Sequence, residues 1–353
     1  MTSVSRVKGR GSQSNPQNRF ESVHYEILDE GEYHTADRKI KTHFYRDNSK
    51  SALAKNDSPD IPFTFDLNPY RGCEHGCVYC YARPSHEYLG FSSGLDFETK
   101  IMVKDRIHLL LEKELKKKSW RPQRITIAGN TDCYQPIEQK LQLTRKCLEV
   151  FFKLKNPVDV ITKNHLISRD IDVLSDLAKE NLTTCTISVT TLDKKLQASM
   201  EPRTSPPELR LKAIEELSKA GIPVFVNVAP IIPGLTDSEI PAILKRAAEN
   251  GATGAYWVML RLPYAVKEIF AEWIRREYPD RADKILNRIK DVRSGKINET
   301  EFGKRMRGSG EIAESIKQLF DISCEKFGLT KRHWPLSVDK FDNGSNVQME
   351  LML

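Results

Sequence analysis

From about Ile61 onward the chain alternates short β-branched runs with helical patterns, and nothing else in the sequence narrows the possible folds so far. The runs are FTFDLN, ITIAG from Ile125, VDVIT from Val158, TCTISVTT from Thr184, PVFVNVAP from Pro223 and AYWVMLRLP from Ala255. Between them lie stretches with apolar spacing near 3.6, such as Ile137, Leu141, Leu148 and Phe151 before the third run and Leu211, Ile214 and Leu217 before the fifth. Six such alternations predict an α/β fold, with parallel strands joined by crossover helices. The 353 residues suit either two average domains or a single α/β barrel with extensions.

On either side of this region the pattern changes. The first sixty or so residues are polar and charged, broken only by short apolar stretches such as YEIL at residues 25–28, and read as a partly disordered tail or a wrapping arm. After Pro263 the β pattern stops and a charged, helical segment follows, expected to form a lid or cap, with a basic glycine-containing break from Gly303 to Gly310. The expected organisation is an extension over 1–60, a barrel over 61–263 and a helical segment over 264–353.

Composition excludes several function classes. With 39% hydrophobic and 29% charged residues the chain can bury a sizeable core. Its longest apolar stretches, such as Ala255–Leu260, are too short to span a bilayer, and its start lacks the apolar segment of a secretory signal, so a cytoplasmic protein without membrane contact is expected. A net charge of +7 permits a nucleic-acid partner without requiring one. Of seven cysteines, Cys73, Cys77 and Cys80 lie together while Cys133, Cys147, Cys185 and Cys324 are scattered, a pattern that suits a metal site better than a disulfide framework.

The grouped cysteines form a C-x3-C-x2-C loop directly after the first strand. Thiolates are the soft ligands iron–sulfur clusters require, and one short loop can aim three of them at three corners of a [4Fe-4S] cubane. The fourth corner then stays open to a cofactor or substrate. Gly72 and Gly76 let such a loop fold tightly. A structural zinc site is the rival reading, with His75 or His86 supplying the fourth ligand.

With Tyr79 as its aromatic residue, the loop resembles the C-x3-C-x-aromatic-C hallmark of the radical S-adenosylmethionine (SAM) superfamily. GNTDCYQPIE, ITKNHLISRD, TISVTTLD, EPRTSPPELRL and APIIPGLTD resemble the branch of spore photoproduct lyase and its DNA repair photolyase relatives, from about Ser58 to Pro263, with weaker likeness in NRFE and RMRGSG. The resemblance implies a partial (β/α)6 barrel, a [4Fe-4S] cluster on Cys73, Cys77 and Cys80, and SAM as the second cofactor. It also implies an external electron donor of flavodoxin or ferredoxin type and, in this branch, a lyase that repairs DNA. The competing function is an iron–sulfur protein that binds nucleic acid or senses redox state without turnover.

Further site residues follow from the same likeness. Gly129, Asn130, Thr131 and Asp132 stand where the family's loop meets the SAM amino group, although an Asn/Thr/Asp cap would look the same. Lys163 would meet the SAM carboxylate and Ser188 the ribose. Arg203 is another cation at a strand end, with Glu201 as its alternative, structural partner. Cys133 is the candidate hydrogen-atom donor, although it follows Asp132 where the lyase's cysteine precedes the loop's aspartate. Cys147 and Cys185 have the spacing of packing residues.

DNA or RNA contacts have two candidate surfaces. One is a helix from Lys104 through Lys116, Lys117 and Lys118 to Arg124, with eight Lys or Arg against three acidic residues; the other is Lys304, Arg305 and Arg307. Tyr264, Phe270, Trp273 and Trp334 are candidates for base stacking or for core.

Overall fold

Period-two alternation sorts each strand into an apolar row and a polar row, and the two rows face opposite ways. Val158, Val160, Cys185, Ile187, Val224 and Val226 pack outward into the main core, leaving Asp159, Thr184, Thr186, Ser188 and Asn227 on the inner face. The strands are β1 (Phe65–Leu67), β2 (Ile125–Ile127), β3 (Val158–Thr162), β4 (Thr183–Ser188), β5 (Val224–Ile231) and β6 (Gly254–Met259). They pair in parallel in chain order, and Leu53–Lys55 adds an antiparallel edge beside β1. This computed structural model, a partial (β/α)6 barrel, describes residues 6–21, 37–38 and 40–343; residues 25–28 of the N-terminal extension lie outside that set.

Helices cover the outer face. They are α1 (Ile107–Leu115), α2 (Leu143–Leu154), α3 (Ile171–Lys179), α4 (Pro207–Lys219) and α5 (Ile240–Glu249), one before each of β2 to β6. Apolar residues at helical spacing drive the packing: α2 buries Leu143, Cys147, Leu148, Phe151 and Leu154 against the sheet, each large side chain contributing about 1.5–3 kcal/mol.

The C-terminal segment divides its work. The helices α6 (Val266–Glu277) and α7 (Ala282–Asp291) bury Val266, Ile269, Phe270, Trp273, Ile285 and Leu286 in a second core with Cys77, Val78 and Tyr79, so they cap the cysteine loop. In contrast, α8 (Glu311–Lys326) is no lid: it joins the outer layer beside α5, with Ile316 and Phe320 in the main core.

The helix expected from Lys104 to Arg124 ends at Leu115. Beyond it the chain must turn to enter β2, and Pro122 has no N–H with which to continue a helix. Trp120 fixes that turn by packing on Phe65, with ring centroids 5.3 Å apart, and by donating to Asn156 Oδ1 at 3.0 Å. Lys116, Lys117 and Lys118 therefore sit at the amino ends of the strands, opposite the cysteine loop.

The same amino end is closed by the chain's own tail. Thr330 bridges Gly254 at the start of β6, and His333 stacks on Tyr256, which stacks in turn on Phe225. Arg124 donates to the Trp334 carbonyl and lies 3.6 Å from Asp159 on the inner face. At the opposite end, residues 10–21 lie against the cysteine loop and the turn that follows it.

Candidate functional site

Residues 72–80 leave the short strand Tyr70–Arg71 and form a loop at the carboxyl ends of the barrel strands. All seven cysteines are free thiols; Cys73 and Cys77 are buried and Cys80 is half-buried. Backbone bonds fix the loop: Cys73 N–H donates to Phe97 O at 2.9 Å and Val78 N–H to Met200 O at 3.0 Å. Gly76 is left-handed, with φ of +68°, and a Cβ there would stand 2.7 Å from Glu98 Oε2.

Burial pushes all three thiols up, and for Cys73 the neighbouring Asp132 and the other two thiols add to the effect. Thiolates here need a positive centre beside them, which a bound metal group supplies. Among the described residues no three His, Cys, Asp or Glu side chains are placed to hold one common ion. Three soft thiols grouped in one short loop suit three corners of a cubane, so the chemistry of the donor set fits the cluster. Neither histidine completes a zinc site. His75 is occupied by Asp132 Oδ2 at 3.4 Å and Asn164 Nδ2 at 3.2 Å. His86 lies between Phe91 and Phe97, where burial pushes its pKa down to about 4.

The loop after β2 crosses beside the cysteines. Tyr81 donates its hydroxyl to Gly129 O at 2.5 Å. Asn68 Oδ1 accepts from the N–H groups of Asn130 and Thr131 at 3.0 and 3.2 Å, and the Thr131 hydroxyl donates to Tyr70 O at 2.7 Å. Asp132 accepts from Thr162 Oγ1 at 2.7 Å, Lys163 N–H at 2.8 Å and Tyr134 N–H at 2.9 Å. Burial raises its pKa, but His75 and these hydrogen bonds outweigh burial and hold it at about 2. The Asp132 carboxylate thus pins the loop to β3; it caps no helix, since the next one, Glu138–Leu141, starts without a side-chain cap.

Lys163, one residue beyond β3, donates to Ala229 O at 2.9 Å and lies 3.9 Å from Glu201 Oε1. Ser188 is buried at the end of β4, in register with Asn227 of β5. Arg203 pairs with Glu74 of the cysteine loop at 3.1 Å, not with Glu201. Glu201 is instead the centre of a buried network that the sequence did not reveal. It accepts from Tyr79 Oη, Thr190 Oγ1 and Arg210 Nη2, and Arg210 also donates to Ser188 O at 3.1 Å. Tyr79, Lys163 and Ser188, far apart in sequence, therefore meet through Glu201 and Arg210. Another pair missed from sequence, Arg83 with Glu98, lies behind the cysteines. A charged residue looks solvated in sequence; nearness to the motif was the only available signal.

Other expectations are corrected. Cys133 lies fully enclosed in the main core with Cys147, next to Asp132, and burial pushes its thiol up. Phe270 and Trp273 are core residues. Trp334 donates to Asn181 at the amino end, and Tyr264 is exposed, covered by the Arg19 guanidinium 3.6 Å from its ring centre. Lys304 pairs with Glu301, Arg305 with Asp60, and Arg307 donates to Trp257 O. With Lys116–Lys118 at the amino end, the two basic stretches do not jointly flank the barrel mouth.

A family model described as the Radical SAM superfamily matches residues 67–247. An uncharacterized protein of Mycobacterium tuberculosis is 35% identical over 234 residues, covering 65% of this chain and 69% of the relative. An uncharacterized protein of Methanocaldococcus jannaschii is 27% identical over 223 residues, covering 63% and 79%. Among solved structures, spore photoproduct lyase complexed with dinucleoside spore photoproduct superimposes with a TM-score of 0.56 at 19% identity, covering 78% of each chain, which is a likeness of fold.

Proposed function

This chain belongs to the radical SAM superfamily, and we propose that it is an enzyme that cleaves SAM reductively and abstracts hydrogen from a substrate. The observation that carries the reading is a group of three free, largely buried cysteines at the carboxyl ends of the barrel, near enough that Cys77 and Cys80 push the Cys73 thiol up. A [4Fe-4S] cluster on Cys73, Cys77 and Cys80 would supply the electron that splits SAM into methionine and a 5′-deoxyadenosyl radical.

The protein's part is to bind, orient and exclude water. With the Asp132 carboxylate occupied, backbone carbonyls of residues 129–132 are the acceptors for the SAM ammonium. Lys163 offers a cation to its carboxylate, and Ser188 faces the inner wall for the ribose. Helices α6 and α7 seal the outer side of the cysteine loop. The electron comes from an external donor of flavodoxin or ferredoxin type. The fold likeness makes a lesion in nucleic acid the first substrate to assay.

The deciding experiment is anaerobic reconstitution and reduction. The loaded protein should convert SAM to 5′-deoxyadenosine and methionine. A full cluster that yields no 5′-deoxyadenosine under strong reductant would count against the enzyme and leave the binding or sensing function as the alternative. Lys163→Ala should weaken SAM binding while iron content stays at the wild-type level; unchanged affinity would remove Lys163 from the cofactor site.

A further inference from the structure

Behind the cysteines, Arg83 and Glu98 are both fully buried. Arg83 uses every donor it has. Its Nε donates to Cys77 O at 3.0 Å, its Nη1 to Ser93 O at 3.1 Å and Gly94 O at 2.9 Å, and its Nη2 to Gly76 O at 3.2 Å and Glu98 Oε1 at 2.5 Å. Glu98 also accepts from the N–H groups of Gly11 at 3.0 Å and Ser12 at 2.8 Å, while Arg10 Nη1 donates to the Glu98 carbonyl at 2.7 Å. Gly11 lies directly on the cysteine loop: a Cβ there would stand 1.8 Å from Gly76 O.

Taking two charges out of water is costly, and their mutual attraction offsets that cost only where geometry is good and the remaining donors are satisfied. Here they are satisfied by the Gly76 and Cys77 carbonyls of the cysteine loop and by the Ser93 and Gly94 carbonyls of the turn beyond it. The guanidinium therefore both shapes that loop and places a balanced charge beside the thiols. A planar fork can hold several carbonyls at once where a lysine cannot.

We propose that Arg83 and Glu98, latched by residues 10–12, are positioning residues that fix the cysteine loop around its cluster and set the charge the cluster feels. This rests on the cluster reading above. Cluster potentials respond to nearby net charge and to exposure, so neutralising Glu98 leaves the Arg83 cation unbalanced and makes the cluster easier to reduce. Lifting the latch opens the loop to solvent.

The test compares wild-type, Glu98→Gln and Gly11→Val proteins, all reconstituted anaerobically at full length. The readouts are iron per chain, midpoint potential by redox titration, iron loss to a chelator and cleavage after Arg10 by trypsin. Glu98→Gln should shift the midpoint to a more positive value. Gly11→Val should lose iron several-fold faster and become cleavable after Arg10. On wild-type protein alone, cluster loading should slow hydrogen exchange at the Gly11 and Ser12 amides, which keeps the inference testable if either variant fails to fold. A wild-type chain that takes up no iron overturns both the latch and the reading it rests on. Normal wild-type loading, with unchanged potential and iron loss in the variants or unchanged exchange at residues 11 and 12, overturns the latch alone.

Discussion

Glu201 and Asp159 are both carboxyls enclosed near the inner wall, and their surroundings drive them in opposite directions. For Glu201 burial raises the pKa, but Arg210, Lys163 and the Tyr79 hydroxyl outweigh burial and bring it down from 4.5 to about 2. A depressed folded-state value stabilises the native chain above 4.5, and that contribution is lost as the pH falls through about 2. Glu201→Gln should therefore flatten the acid limb of a stability–pH profile measured by urea unfolding. Glu201→Ala, which leaves Arg210 and Lys163 uncompensated, should cost about 3–5 kcal/mol at neutral pH. For Asp159 burial wins over Arg124 and Thr126, and the pKa rises from 3.8 to about 6. Its penalty is absent below 3.8, grows between 3.8 and 6 and is complete above 6. Asp159→Asn should stabilise the chain at neutral pH and lose that advantage in acid; a variant midpoint no higher than wild type in urea at neutral pH would show that the Arg124 contact offsets or outweighs burial.

At the level of elements, the six strands were legible as short β-branched or apolar runs set between helical patterns, some alternating apolar and polar residues as in TCTIS, with turn residues closing several of them. The packing cysteines were legible for the same reason, since Cys147 and Cys185 keep the core period of α2 and β4. Cys147→Ala and Cys185→Ala should each cost about 1 kcal/mol for the small cavity left behind while iron content is unchanged. Cys73→Ala, Cys77→Ala or Cys80→Ala should lose cluster iron, because three ligands leave no redundancy; full iron in any one of them would show that the cluster lies elsewhere. The end of α1 was not legible. Lys116–Lys118 are good helix formers, and the turn that displaces them depends on Trp120 reaching Phe65 and Asn156, which no local pattern records.

For the whole molecule, the cysteine loop was readable as one contiguous motif, whereas its supports were not. Glu98 and Gly11 are separated by 87 residues, and Glu201 and Tyr79 by 122, so their contacts exist only once the barrel has closed. The same global geometry changes what the basic stretch means. Lys116→Glu, Lys117→Glu and Lys118→Glu together, at the amino end, should leave the rate of 5′-deoxyadenosine formation unchanged; a marked fall would place a partner on that face after all. The tail stacked on Tyr256 has a final consequence. With His333 on Tyr256 and the Trp334 carbonyl held by Arg124, the far end of the chain is tied to the amino ends of the strands, so a change that pulls it away unstacks Tyr256 from His333 and frees Arg124.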